Sequence, residues 1–285
     1  MCRFVRYAAL AALPLVPMAL AAQDTGSAPA VTAGVTSGVL RFGDGRTQQG
    51  VSGVLRYHLL PGMSVAATPA FARVSAPASL GGGSVSGLTD MPVELALDHA
   101  IAVPASPTVG LGLAVSLPIG DRNAGFGSGA LGYSVEGGIG ASPLERLSVH
   151  VGAGRPLSDF TTQSALGGSG STWGEAEASY DASTHLSATL GLDGDLSSRD
   201  SLGPARAIAA GLTMNLGGPV SLVIDGAHGL SGAAARWTFS VALGTDFAGI
   251  ESLGSSSPLR RFMKSLGGQS YQHGYAAVYR GRGRP

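Results

Sequence analysis

Apolar residues alternate with small or polar ones along most of the chain, with a period of two. In the stretch 107–118, Val109, Leu111 and Leu113 are interleaved with Gly110 and Gly112. Because successive side chains of a strand point to opposite faces of the sheet, this alternation predicts β-strands with one apolar face. Twelve segments have this character: 31–42, 49–60, 63–74, 87–101, 107–118, 129–141, 147–155, 172–181, 185–195, 205–216, 219–229 and 235–247.

The connections between these segments alternate in length. The short ones lie at 61–62, 104–107, 142–146, 183–184 and 217–218. The longer ones, polar and rich in Gly and Ser, lie at 43–48, 75–86, 119–128, 156–171, 196–204 and 230–234. An outer-membrane barrel has short periplasmic turns and longer outer loops, whereas a secreted soluble β-protein has no reason to sort its loops in this way. We therefore predict an all-β fold, a single antiparallel transmembrane β-barrel of about 12 strands.

The N-terminus and the composition agree with export. Arg3 and Arg6 precede a short apolar run, and residues 19–21 offer an A-x-A cleavage site, so residues 1–21 read as a signal peptide. Charged residues make up only 13% of the chain, while glycine accounts for 45 of 285 residues. These features predict a Gram-negative cell outer membrane location, with outer-membrane lipid and the barrel assembly machinery as partners, a barrel over 22–247, and no nucleic-acid partner.

The stretch 125–132, GFGSGALG, has the glycine spacing of a dinucleotide-binding fingerprint. That motif must close a strand and open a helix, but no helical period follows here. The histidines are scattered without metal-ligand spacing, and one Ser148-x-His150 pair is weak support for a hydrolase. We predict no cofactor, no metal site and no enzymatic activity.

Three consecutive stretches resemble an outer-membrane barrel family, the one named for the MetA-pathway of phenol degradation. They are SGLTDMPVELALDHAI at 86–101, PTVGLGLAVSLPIGD at 107–121 and GFGSGALGYSVEGGIG at 125–140. The family pattern comprises a Gly-x-Gly-Asp strand start, a strand ending in Leu-Pro-x-Gly-Asp, and a Gly-x-Gly-x-x-x-Tyr strand. Thr89 stands where the family usually has glycine. The resemblance implies a transporter-like barrel associated with uptake of aromatic or other hydrophobic compounds.

Alternation also predicts which ionisable groups face the lumen. Nine such side chains lie opposite the apolar stripes of their strands: Arg41, Arg56, His58, Glu94, Asp98, Glu136, His150, Asp193 and Asp225. Five acids against two arginines predict a mildly acidic lumen that favours cations or neutral solutes. The alternative is that these groups only solvate a water-filled or plugged interior.

The C-terminal stretch 248–285 differs from the barrel in charge. Residues 22–247 carry ten Arg and seventeen acids, a net charge of −7, whereas 248–285 carries five Arg and Lys264 against Glu251, a net charge of +5. Residues 258–266 have the apolar spacing of a short amphipathic helix. We predict a basic periplasmic tail, with a membrane-surface helix, a lumen plug and a disordered extension as the open alternatives.

The sequence thus predicts a porin-like channel for passive or facilitated transport of small hydrophobic or aromatic solutes. A lumen lined by Gly, Ala, Ser and Thr leaves volume at the barrel axis. The alternative is a non-conducting outer-membrane barrel that serves surface display or adhesion through its loops.

Overall fold

The computed structural model describes residues 31–103, 105–122, 124–157, 172–196, 204–231, 234–245, 247, 262 and 266. These residues form β1 (Val31–Arg41), β2 (Thr47–Leu60), β3 (Met63–Ala67), β4 (Ala70–Ser75), β5 (Ser84–Leu88), β6 (Met91–Ala100), β7 (Thr108–Leu117), β8 (Gly132–Leu144), β9 (Leu147–Pro156), β10 (Trp173–Ser183), β11 (Leu186–Asp195), β12 (Arg206–Gly217), β13 (Val220–Gly229) and β14 (Trp237–Gly244). The predicted signal peptide at 1–21 lies outside the described residues.

The strands close into one antiparallel barrel. Most strands pair with their neighbours in the chain, β2 pairs with both β3 and β4, and β3 pairs with β6. Because β1 pairs with both β2 and β14, the sheet closes on itself. The closing ladder runs from Gly34 opposite Gly244 to Arg41 opposite Trp237. The predicted all-β single barrel is confirmed.

Two of the predicted strands are interrupted rather than continuous. Thr68 and Pro69 separate β3 from β4, which both pair with β2 in one register, because proline has no N–H for the ladder. Thr89 and Asp90 separate β5 from β6, and the pairing register shifts by one residue there. Since each interrupted pair spans the wall once, the fourteen strands of the described chain make twelve crossings.

The predicted alternation is visible in the burial of the side chains. On β2 the even-numbered residues from Gln48 to Arg56 are buried, while Leu55 and Tyr57 are exposed. On β9 His150 is buried between the exposed Val149 and Val151. The barrel therefore turns an apolar stripe outward from most strands and keeps its small and polar residues inside.

The two ends of the barrel differ as the loop lengths predict. At one end, here called the short-turn end, Gly62 has a φ of 75°, and Gly217 and Gly218 have φ values of 111° and 58°, so tight turns there use left-handed backbone. The opposite end, here called the long-loop end, carries the segments 42–46, 76–83 and 118–131. In the described part of the chain, no helix is long and apolar enough to cross a membrane.

Candidate functional site: the interior of the barrel

An apolar cluster fills part of the interior near the long-loop end, and we call it the upper lumen cluster. Three aromatic rings belong to it, and they come from three distant parts of the chain. Val85 and Ala124 pack against it. Its buried members are Leu40, Phe42, Ala72, Val74, Phe126, Ala235, Phe262 and Leu266.

Phe126 reaches this cluster because the loop 118–131 folds inward. Both carboxylate oxygens of Asp90 accept backbone hydrogen bonds from the loop, from Gly120 N at 2.9 Å and from Ser128 N at 2.7 Å. The loop also closes on itself through Phe126 N to Asp121 O at 2.8 Å. The glycine-rich stretch 125–132 thus belongs to a folded loop beside the lumen.

Phe262 and Leu266 are C-terminal to the last strand, yet both lie inside the barrel. They are 0% and 2% exposed, and Leu266 N donates to Phe262 O at 3.2 Å, the spacing of one helical turn. Gln48 Nε2 donates to Leu266 O at 2.7 Å. The apolar side chains of these two residues pack on the inner wall, the position expected from the lumen-plug alternative rather than from a tail in the periplasm. The rest of 248–285 lies outside the described residues.

A second apolar cluster, the lower lumen cluster, lies closer to the short-turn end and contains Val54, Ala66, Val223, Ala242 and Phe247. The Phe247 ring lies over Gly34, where a Cβ atom would come within 2.6 Å of its Cζ. The glycine therefore leaves room for an aromatic ring that follows the last strand and turns back into the barrel.

Acidic side chains line the opposite wall, formed by β8–β13. Glu175 and Asp193 are paired across β10 and β11, and Glu177 is opposite His150 across β10 and β9. His150 Nδ1 lies 3.7 Å from Glu175 Oε1. We call this set the acidic wall: Glu136, His150, Glu175, Glu177, Asp193 and Asp225.

The other predicted lumen residues lie on β2 and β6, with one exception. Arg56 is buried, and its Nη1 donates to Ser64 Oγ at 3.0 Å. His58, Glu94 and Asp98 are partly buried. On both strands the predicted residues are even-numbered, like the buried Arg56 on β2 and Ala96 on β6, and therefore lie on the inward face.

The prediction for Arg41 is wrong. Its side chain is exposed and shares the parity of Val39, whereas the neighbouring Leu40 is buried in the upper lumen cluster. Arg41 ends its strand beside the exposed Trp237 of β14. A guanidinium at the rim of the barrel reaches water without crossing apolar surface, so the outward position costs little there.

Several interior residues were not predicted from the sequence. Glu175 and Glu177 alternate with Gly174, Ala176 and Ala178, so their strand offers no large apolar stripe to mark the outward face. Arg46 precedes β2 and is 6% exposed; its guanidinium lies 4.6 Å from the centre of the Phe42 ring and pairs with Asp44 at 2.6 Å. The alternation of β2, extended one residue outward, would have found it.

Within the residues that the structure describes, no group of three or more His, Cys, Asp or Glu side chains is arranged to hold a metal ion. The glycine-rich stretch 125–132 does not form an open cradle for a phosphate. It packs against an earlier part of its own loop, since a Cβ at Gly127 would overlap the carbonyl of Gly120.

No family model and no curated protein matches the chain. Among solved structures, the COG4313 outer membrane channel from Pseudomonas putida F1 superposes with a TM-score of 0.58 at 15% identity, over 78% of this chain and 97% of the channel. The KdgM porin superposes with a TM-score of 0.50 at 8% identity, over 74% of this chain and 97% of the porin. The CymD monoaromatic hydrocarbon channel has a TM-score of only 0.43 at 10% identity, over 75% of this chain and 87% of the channel.

These neighbours are channels and porins rather than enzymes, and at such low identity the likeness concerns the fold alone. The similarity to the phenol-degradation barrel family stays a resemblance in sequence. The chain has the closed antiparallel β-barrel fold of outer-membrane channels and porins.

Proposed function

We propose that this protein is an outer-membrane channel that passes small hydrophobic or aromatic solutes by passive or facilitated diffusion. The observation that carries the proposal is the upper lumen cluster, because it gives the inside of a closed barrel an apolar and aromatic surface. A general aqueous pore has no use for such a surface, whereas apolar solutes are held by it at about 25 cal/mol per Å² of buried area.

The exposed surface of the barrel supports its location in a membrane. Large apolar side chains such as Leu111, Val151 and Leu190 are 45–61% exposed on the outward face of their strands. A soluble barrel would leave these side chains in water, whereas lipid covers them at no cost. We infer export through the signal peptide and insertion by the barrel assembly machinery.

The acidic wall would set the charge preference of the pathway. Its described inward residues include five carboxylates, Glu136, Glu175, Glu177, Asp193 and Asp225. Rings or rows of carboxylates favour cations and neutral solutes over anions.

The second candidate function is a non-conducting barrel that serves surface display or adhesion through its loops. One observation favours it: Phe247, Phe262, Leu266 and the loop residue Phe126 all lie inside the barrel and reduce the open cross-section. The two functions differ in whether any state of the lumen conducts ions.

The test is single-channel recording in planar bilayers with the full chain and with the variant Phe262→Ala. The channel proposal expects discrete open levels in both proteins, reduced by benzyl alcohol and unaffected by glucose. If both proteins migrate as folded, heat-modifiable barrels and neither conducts, the non-conducting function replaces the proposal.

A further inference from the structure

We propose that the upper lumen cluster is a binding site for one uncharged aromatic ring, and that Phe262 of the same chain occupies it as an intramolecular competitor. The inference rests on the proposed channel function and deepens it, since it names the ligand class of the site and the element that regulates access. Because Phe262 occupies the site, a solute that binds there should resemble its side chain in shape and polarity.

The Phe262 ring fits against the inner wall because the wall residue at that point, Gly38, has no side chain. A Cβ at Gly38 would come within 2.7 Å of Phe262 Cε1, so the ring lies directly against the backbone of β1. Leu40, Phe42 and Val74 complete the apolar surroundings. The ring is 0% exposed, which means that the site encloses a phenyl group completely.

Leu266 is seated in the same way one helical turn later. A Cβ at Gly50 would overlap its side chain, and Gln48 Nε2 donates to its carbonyl oxygen at 2.7 Å. Two glycines that face each other across β1 and β2, Gly38 and Gly50, therefore form one shallow trough for the two side chains. The trough contacts the occupant through packing together with this hydrogen bond, and a free aromatic solute can make the same packing contacts.

The charged groups beside the site favour a neutral ligand. Arg46 lies over the Phe42 ring at 4.6 Å, and its charge is already paired with Asp44. The remaining neighbours of the Phe262 ring in the cluster are hydrocarbon. An ion placed among these hydrocarbon side chains would lose hydration, whereas an uncharged ring has little hydration to lose.

Phe126 brings a second aromatic ring into the site, from a loop at the long-loop end. It belongs to the same cluster as Phe262, and its loop is fastened to the barrel wall by the carboxylate of Asp90. A solute that displaces Phe262 would place its own ring in the trough and remain in the lumen, where it reduces the current.

The experiment measures block of single-channel current by benzyl alcohol as a function of its concentration. Because Phe262→Ala removes the competitor, we expect the half-blocking concentration to fall by about tenfold, the change that corresponds to about 1.4 kcal/mol. Phe239→Ala removes the same ring from the outward face of β14, and Phe247→Ala removes one from the lower lumen cluster. Both control variants should have the same half-blocking concentration of benzyl alcohol as the natural chain.

A second variant keeps the proposal testable if Phe262→Ala disturbs the barrel. The double variant Gly50→Cys with Leu266→Cys brings two thiols together, because a Cβ at Gly50 would lie 3.2 Å from Leu266 Cγ. Oxidation should hold the occupant in its trough and abolish the effect of benzyl alcohol, and reduction should restore it.

Two results would overturn the competitor role while leaving the channel function intact. One is a half-blocking concentration that is the same in Phe262→Ala and in the natural chain. The other is an equal fall in Phe247→Ala, which would indicate general loosening of the lumen. Failure of the channel function looks different, because then no variant conducts at all.

Discussion

The wall formed by β14, β1, β2, β4 and β5 carries the upper lumen cluster, whereas the wall formed by β8–β13 carries the acidic wall. Both walls follow the same alternation, with apolar residues turned outward. The inward positions differ: the first wall combines glycines and aliphatic residues with uncharged polar ones such as Gln48 and Ser240, and with Arg56 further down, whereas the second wall carries carboxylates. Alternation therefore decides which side chains enter the lumen, and the choice of inward residue decides what each wall binds.

A lumen with one apolar and one charged wall is amphipathic, so it can hold different chemical groups on its two sides. A ring can pack against the trough at Gly38 and Gly50 while water and ions occupy the side lined by Glu136 and Glu177. The following predictions test whether the two walls act independently.

The largest effect is expected from filling the apolar wall. Gly50→Ala places a methyl group where the end of the Leu266 side chain lies, with the carbonyl oxygen of Phe71 at 3.0 Å. We expect the occupant to leave the trough, single-channel conductance to rise, and the barrel to lose about 1–3 kcal/mol of stability through overpacking.

The matched control is Gly53→Ala, on the outward face of the same strand, where the nearest atom is Pro69 Cγ at 3.8 Å. It should leave both conductance and the temperature of heat-modified gel migration unchanged. Equal conductance in Gly50→Ala and Gly53→Ala would show that Leu266 does not restrict the lumen.

A smaller effect is expected from neutralising the acidic wall. In the triple variant Glu136→Gln, Glu175→Gln, Glu177→Gln, we expect the K⁺-over-Cl⁻ permeability ratio to fall about fivefold, since a charge 4 Å from an ion is worth about 1 kcal/mol in water. Reversal potentials in a KCl gradient measure this ratio. Glu145→Gln, in an exposed short turn, is the control.

If the two walls act independently, the triple variant should have the same half-blocking concentration of benzyl alcohol as the natural chain. A shifted half-blocking concentration would mean that the acidic wall also contacts the aromatic solute and that the two walls do not act independently.

The most local effect is expected at the loop that carries Phe126. Asp90→Ala removes the acceptors for Gly120 N and Ser128 N. Hydrogen bonds to a charged group contribute about 1.5–3 kcal/mol each, less where water competes, so we expect amide exchange in 118–131 to accelerate about tenfold. Hydrogen–deuterium exchange by mass spectrometry measures it, with Asp181→Ala at the short-turn end as control. Unchanged exchange would show that Asp90 does not fasten the loop.

Most of the fold follows from local alternation, and the exceptions have local causes. The sequence marks the interruption between β3 and β4 with Pro69, but the register shift at Thr89 and Asp90 has no such sign. The shift changes the inward parity from Gly87 on β5 to Ala96 on β6, and a continuous pattern over 87–101 conceals it. Bulges of this kind are set by pairing with the neighbouring strands.

The interior could be predicted only where large outward residues mark the strand's faces. Glu136 and His150 were found in this way, while Glu175 and Glu177 were missed beside small outward neighbours. The apolar spacing of Phe262 and Leu266 is visible in the sequence, but the sequence does not show that these side chains pack inside the barrel. The trough that receives them is formed by Gly38 and Gly50, more than two hundred positions earlier in the chain.

Phe262 is covalently joined to the strand that closes the barrel, and this has a consequence for dosage. A tethered group samples its site at an effective concentration on the order of millimolar for short linkers, whatever the number of protein copies in the membrane. The solute level at which the occupant yields is therefore fixed by the chain itself and not by expression. Each barrel would respond alone, and a cell could raise its capacity without changing its threshold.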